Sequence, residues 1–343
     1  MISLDAKSKR KTPLGSSLYR ARYRVGEYCL RGFVATFSWL PHSLLYSFTR
    51  FAAYLSFLLL WKYRLRMEEN LSTVMGNEFP TAEGRKALIY TAWQNMARGM
   101  FETIRVLYFS KEKIRSTFAI QGEEHLKRAL ARGKGVISLS AHLGAFSMIG
   151  PRLTAAGYAF TAVTKQPRDE DFARLMDSYR AQVGIKSISA RPRQLAARQI
   201  IKSLRRNEIV LLVADEFKST GVEVEFFGRP SPAPRGPVTL ALRTGATLLP
   251  MFMIREPEGL LTLHIEPELN LAQEGNLQEV VAANVAMFSR TLETMVRRYP
   301  AQWNWLGFSE NGKRPRRKAA LSKSKPSTSR PQDEHPPSTG PAN

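Results

Sequence analysis

"VISLSAHLGAFSMIG", residues 136–150, opens on a run that is apolar on both faces, ends it on a histidine and turns at once through a glycine. A short run of this kind reads as a strand buried on both sides, the habit of sheets covered by helices. Working outward, similar β-branched runs recur as GVISLSA (135–141), FTAVTK (160–165), IKSISA (185–190), IVLLVAD (209–215), VEVEFFG (222–228), TLLPMFMIRE (247–256) and LLTLHIEPEL (260–269). Helical stretches separate them near 143–156, 169–183, 191–206, 235–245 and 276–299. Such alternation predicts an α/β fold, a mixed sheet covered by helices on both faces. Upstream, residues 81–108 place apolar side chains at helical spacing, with Thr81 as a cap and Glu83 close behind.

The 343 residues carry a formal charge of +22 and are 43% hydrophobic, enough to bury a large core. The charge is concentrated at the ends: residues 1–32 and residues 311–343 each hold eight Lys/Arg against two Asp/Glu. The segment from 311 is rich in Pro, Ser and Lys and is expected to be a disordered basic tail. A middle without a recognisable binding module argues against nucleic acid as the partner of this charge, and acidic lipid head groups fit better. Cys29 is the only cysteine, which excludes an intrachain disulfide and fits a reducing compartment.

Residues 33–66, FVATFSWLPHSLLYSFTRFAAYLSFLLLWKYRLR, are strongly apolar and aromatic but broken by Pro41 and Arg50. Each uncharged piece falls short of the roughly 20 residues that a spanning helix needs. No small-residue cleavage site follows, so a removed signal peptide is not expected. The expectation is therefore helices lying in the membrane interface, Trp39 and Trp61 at head-group depth and basic flanks on an anionic surface. The chain then divides into a basic segment (1–32), a membrane-associated helical region (33–108), an α/β domain (109–310) and the tail (311–343).

In open α/β sheets reactive groups collect at the carboxyl ends of the strands. His142 follows VISLSA and the pair Asp215–Glu216 follows IVLLVA, so both open toward one crevice. A histidine so placed is either a reactive base or a satisfied core residue. His42 and His335 lie outside the α/β pattern, His125 sits in a charged helix and His264 alternates in a late strand, which gives none of them a reactive setting. No Gly-x-Ser-x-Gly elbow, phosphate-binding glycine loop or zinc pattern is present, and no cofactor is called for.

Three blocks, GKGVISLSAHLGAFSMIG, VADEFKSTGVEVEFFGRPSPAPRGPVTLALRTGATLLPMF and YPAQWNWLGF, resemble successive blocks of the bacterial lipid A biosynthesis (lauroyl/myristoyl) acyltransferase family, within the wider glycerolipid acyltransferase group. The upstream ENLSTVMGNEFP and MFETIRV resemble that family's N-terminal region, and GVEVEFFG is similar to the branch acting on mycobacterial phosphatidylinositol mannosides. The likeness runs from about residue 30 to residue 308. It implies transfer of a fatty acyl group from acyl-CoA or acyl carrier protein to a hydroxyl of a membrane glycolipid or phospholipid, at the cytoplasmic face of the inner membrane. His142 would be the general base and Gly144, with its neighbours, would offer N–H groups to the oxyanion. Arg180, Arg229 and Arg235 would meet phosphate.

The family motif places an acid after His and four further residues, but here that place holds Ser147. A serine accepts a hydrogen bond from the ring but supplies no charge to an imidazolium. Asp215 and Glu216 are the replacement candidates; strand alternation lets only one face the ring, and Glu216 is preferred for its reach. The alternative is a membrane-bound pseudoenzyme that keeps the fold without transfer.

Overall fold

The computed structural model describes residues 23–29, 31–32, 36, 42–217 and 221–306. The basic tail, Trp39 and most of the basic N-terminal segment lie outside the described residues. From His42 the chain forms three helices in succession, α1 (His42–Leu59), α2 (Trp61–Met75) and α3 (Ala82–Arg105). The Thr81 hydroxyl accepts the Gly84 N–H at 3.1 Å and starts α3 where the sequence placed it. After α4 (Lys111–Thr117) come β1 (Phe118–Gln121), α5 (Glu123–Ala131) and the central strand β2 (Val136–Ser140).

The remaining elements alternate as expected: α6 (Ile149–Ala155), β3 (Phe160–Thr164), α7 (Glu170–Gln182), β4 (Ile185–Ser189), α8 (Arg193–Arg205) and β5 (Ile209–Val213). A hairpin of β6 (Val222–Phe226) and β7 (Arg229–Ala233) follows, then α9 (Gly236–Thr244), β8 (Thr247–Arg255), β9 (Leu261–Ile265) and α10 (Leu277–Arg298). Seven strands form a sheet ordered β1-β9-β8-β2-β5-β3-β4, and β6–β7 stand apart as an antiparallel pair. β8, β2, β5, β3 and β4 run parallel, whereas β9 turns back antiparallel on β8 and carries β1 parallel to itself. The sheet is thus mixed.

Every residue of β2 and β8 is buried, and their alternation feeds two cores. Ile137, Leu139, Leu248 and Phe252 pack with Leu204 of α8 and Phe288 of α10. Val136, Leu249 and Met251 on the other face pack with Leu126 of α5 and Leu153 of α6. Met67, Leu71 and Met75 of α2 and Ile89 of α3 join the first core, so the N-terminal helices are packed onto the sheet layer. Among the described residues no helix is long and apolar enough to cross a membrane.

Two strands escaped the sequence. β1 is only four residues and owes its strand form to pairing with β9. β7 reads RPSPA; Pro230 and Pro232 suit the edge of a two-stranded ribbon but not a central strand. The helix expected from 143 instead starts as a 3-10 turn at Phe146–Met148, because the preceding N–H groups bond elsewhere.

Candidate active site

The register of β2 and β5 builds the site. Ser140 stands opposite Val213, and the Ala214 N–H donates to the Ser140 carbonyl at 2.9 Å. Two steps on, His142 and Asp215 leave the sheet side by side. The His142 backbone N–H donates to Asp215 Oδ2 at 2.8 Å, and ring Nδ1 lies 2.7 Å from Oδ1. The indole Nε1 of Trp303 donates to Oδ2 at 3.0 Å. Burial pushes the Asp215 carboxyl up, but the ring and backbone of His142 together with the indole outweigh it and hold the group below its ordinary value. An ionised acceptor on Nδ1 fixes the neutral imidazole in the tautomer with its proton there, which leaves Nε2 to accept one.

Asp215 is 5% exposed, while the His142 side chain keeps 31% of its surface. Buried carboxylate behind, half-open imidazole in front: the pair points outward. Phe146 sets its ring edgewise to the imidazole, with centroids 4.9 Å apart. Behind the acid, Trp303 stacks on Phe227 and meets Trp305 edge to face, in a fully buried aromatic group.

The preference for Glu216 is corrected by this geometry. Asp215 is the acid on the ring because its shorter side chain starts next to His142 and is buried against it, whereas Glu216 is exposed. Ser147 does not meet the imidazole in its hydroxyl contact; its Oγ lies 2.7 Å from Oγ1 of Thr103 on α3. The expectation for Gly144 is corrected as well. Its N–H donates to the Gln302 carbonyl at 2.9 Å and the Ala145 N–H donates to that of Met253, so neither faces an oxyanion. Gly144 is needed for close approach: with φ of +60°, a Cβ there would stand 2.0 Å from the Met253 carbonyl oxygen. The N–H groups of Phe146 and Ser147, at a turn start without a side-chain cap, are the next donors along the chain.

Beside Phe146 an apolar cavity of about 300 Å³ runs between the sheet and α7, with Met148, Phe160, Val163, Met176 and Leu211 on its wall. Arg180 is also on that wall, held to Asp177 at 2.7 Å. Arg229 lies on β7 and Arg235 is exposed just before α9. A helix that leads back to a parallel strand starts at the carboxyl edge of the sheet, which puts Arg235 at the same end as His142. Trp303, Gln302 and Thr103 were not singled out by the sequence. The QWNW block was visible in it, but a contact spanning 88 positions was not.

An imidazole oriented by a buried carboxylate, next to an apolar cavity, is the equipment of an enzyme that activates an oxygen nucleophile beside an apolar substrate. The chain matches the family described as bacterial lipid A biosynthesis acyltransferase over residues 15–307, and it belongs to that family. It is an acyltransferase, of a family named for lipid biosynthesis. A phosphatidylinositol mannoside acyltransferase of Mycobacterium tuberculosis is 28% identical over 245 residues, 70% of this chain and 75% of that protein. A lipid A biosynthesis acyltransferase of Haemophilus influenzae is 26% identical over 250 residues, covering 71% and 74%. The solved 1-acyl-sn-glycerophosphate acyltransferase PlsC of Thermotoga maritima aligns with a TM-score of 0.33 and 13% identity, over 70% of this chain and 97% of that one.

Proposed function

We propose that this acyltransferase moves a fatty acyl group from a thioester, acyl-CoA or acyl carrier protein, directly to a hydroxyl of a membrane glycolipid or phospholipid. The observation that carries the reading is the His142–Asp215 pair opening beside the apolar cavity. His142 Nε2 takes the acceptor's hydroxyl proton as the oxygen attacks the thioester carbon, and Asp215 stabilises the imidazolium that forms. Collapse of the tetrahedral intermediate breaks the C–S bond, and the imidazolium returns its proton to the leaving thiolate. No acyl-enzyme is required. The cavity takes the acyl chain. Arg235 and Arg229 meet phosphate at the mouth, whereas Arg180 is spent on Asp177 and shapes the wall.

The relatives' names, which specify phosphatidylinositol mannoside and lipid A, support a lipid acceptor. Access from a bilayer is supported by α1, whose Leu44, Phe48, Phe51, Leu55 and Leu58 are exposed at helical spacing. Lys62 and Arg66 are exposed just beyond it, beside Trp61. Such a stripe with basic flanks suits peripheral attachment to an anionic surface, here assigned to the cytoplasmic face of the inner membrane. The pseudoenzyme alternative rests on Ser147 alone, and Asp215 supplies the charge that Ser147 lacks. The test is transfer by the purified chain on anionic vesicles with acyl-CoA of graded length, with products identified by mass spectrometry. His142→Ala should lose roughly 10²- to 10⁴-fold in turnover at an unchanged melting temperature. Turnover near that of the parent would overturn the mechanism.

A further inference from the structure

A second cavity, of about 450 Å³, opens on the other side of α3, between that helix, α1 and the turn joining β8 to β9. Arg98, Phe101, Glu102 and Arg105 of α3 all line it, as residues three, four and seven apart share one helix face. Arg98 and Arg105 are two turns apart, about 10 Å of axis, within joint reach of one anion. Neither meets a carboxylate or a hydrogen-bond acceptor among the described residues. Arg98 rests over Tyr46 with Cζ 4.7 Å from the ring centre, and Arg105 over Phe109 at 5.2 Å. The Nε of Arg98 is buried with no hydrogen-bond partner, an arrangement that costs free energy unless something accepts from it.

The carboxylates of the wall do not fill that role. Glu102 is taken by Arg255, with Oε2 2.6 Å from Nη2, and Glu258 sits exposed on the turn. The rest of the lining is apolar, with Phe101, Phe118, Leu260 and Leu261, and Leu260 is 64% exposed at the edge. Two guanidinium groups without acceptors beside an apolar wall match a ligand with an anionic head and a hydrocarbon tail. Tyr46 and Thr49 of α1 also line the cavity, on the helix that carries the exposed apolar stripe.

We propose that this cavity is a binding site for a phosphate-bearing amphiphile, with Arg98 and Arg105 holding the phosphate and the Phe118–Leu261 wall holding the chain. The site lies apart from His142 and does not rest on the transfer reading. A chain of bonds links it to the turn that carries His142: Glu102 of its wall pairs with Arg255, the Arg255 backbone N–H donates to Gln302 Oε1 at 2.9 Å, and the Gln302 carbonyl accepts the Gly144 N–H. A ligand held there is therefore coupled to the support of His142.

The test is calorimetric titration of the full chain with dihexanoyl phosphatidic acid below its micellar concentration, beside dihexanoyl phosphatidylcholine and inorganic phosphate. Saturable binding of the phosphatidic acid is expected, with phosphate alone and the choline lipid each at least about tenfold weaker. The double variant Arg98→Gln/Arg105→Gln should lose roughly tenfold or more in affinity, as expected for charged hydrogen bonds. Leu260→Glu, on an exposed side chain that the fold does not need, should weaken binding too, while His142→Ala should leave it unchanged. Inorganic phosphate binding as tightly as the lipid would remove the amphiphile. Affinity undiminished in both the arginine and Leu260 variants, or lost only in His142→Ala, would overturn the site.

Discussion

Asp215→Asn tests the base–acid pair with almost no change of shape. In the parent, Oδ2 accepts two N–H groups, from the His142 backbone and Trp303, while Oδ1 faces ring Nδ1 at 2.7 Å. An asparagine has one acceptor to offer, and two donors already claim it at the Oδ2 position. The amide NH₂ is then left facing Nδ1, which must accept. The imidazole is forced into the tautomer with its proton on Nε2, where it cannot act as a base. The expected loss in kcat is on the order of 10⁴-fold, or about 5.5 kcal/mol of barrier, with KM little altered. The assay is release of free thiol from acyl-CoA in the presence of acceptor lipid, with product confirmed by mass spectrometry. Residual activity should also move its acid limb to lower pH, because the anion that favours the imidazolium is gone. Asp215 itself does not set that limb. Its folded-state pKa is lowered, so its stabilising contribution is complete above the ordinary carboxylate range and is lost only as pH falls through the lowered value. Glu216→Gln, on the exposed side, is the control and should stay within about threefold. Near-parental turnover in Asp215→Asn, with an unmoved pH profile, would refute the argument.

Ser147→Ala removes only the hydroxyl contact with Thr103 and should leave turnover within about twofold, whereas Ser147→Asp puts a second carboxylate beside the apolar cavity and should lower activity at neutral pH; a tenfold gain from Ser147→Asp, measured in the thiol-release assay, would restore the pseudoenzyme reading. The paired change Leu55→Glu/Leu58→Glu strikes the exposed face of α1 without touching a buried side chain, so co-sedimentation with anionic vesicles should fall severalfold at constant melting temperature. Binding that is unaffected by the pair but abolished by high salt would place attachment on charge alone.

The sequence carried the sheet further than the site. Strands apolar on both faces, VISLS and IVLLV, announced their central places, and the five helical stretches between 143 and 299 fell within a few residues of their observed positions except where hydrogen bonds at Gly144 and Ala145 delay the first. β7 was hidden because proline argues against strands in general and only the ribbon edge excuses it. Within the site, reach was the wrong criterion for choosing between Asp215 and Glu216. What decides is register: Ser140 opposite Val213 sets the Asp215 carboxylate against both the backbone and the ring of His142, so a short side chain suffices. Trp303 and Thr103 were invisible for a different reason, since each meets the catalytic turn from a distant part of the chain.

Under the proposed mechanism, that register also accounts for serine at position 147. An acid in the catalytic turn would hold the ring from the same loop, and its position would depend on the turn's own geometry. Asp215 holds it from the next strand, anchored by the sheet and by a buried indole, so the turn is relieved of an electrostatic task. Ser147 is then available to tie that turn to α3 through Thr103. The consequence reaches beyond the histidine. Thr103, Ile104 and Leu107 of the α3 region face the apolar cavity, while Arg98, Glu102 and Arg105 face the arginine-lined one. One helix thus divides a slot suited to hydrocarbon from a slot suited to an anionic head, and it is bonded to the catalytic turn from both sides, by Thr103 to Ser147 and by Glu102 through Arg255 and Gln302 to Gly144. If His142 is the base and ligands occupy these cavities as proposed, a displacement of α3 by either ligand would be felt at His142, and this helix, rather than the missing acid, would join binding to chemistry.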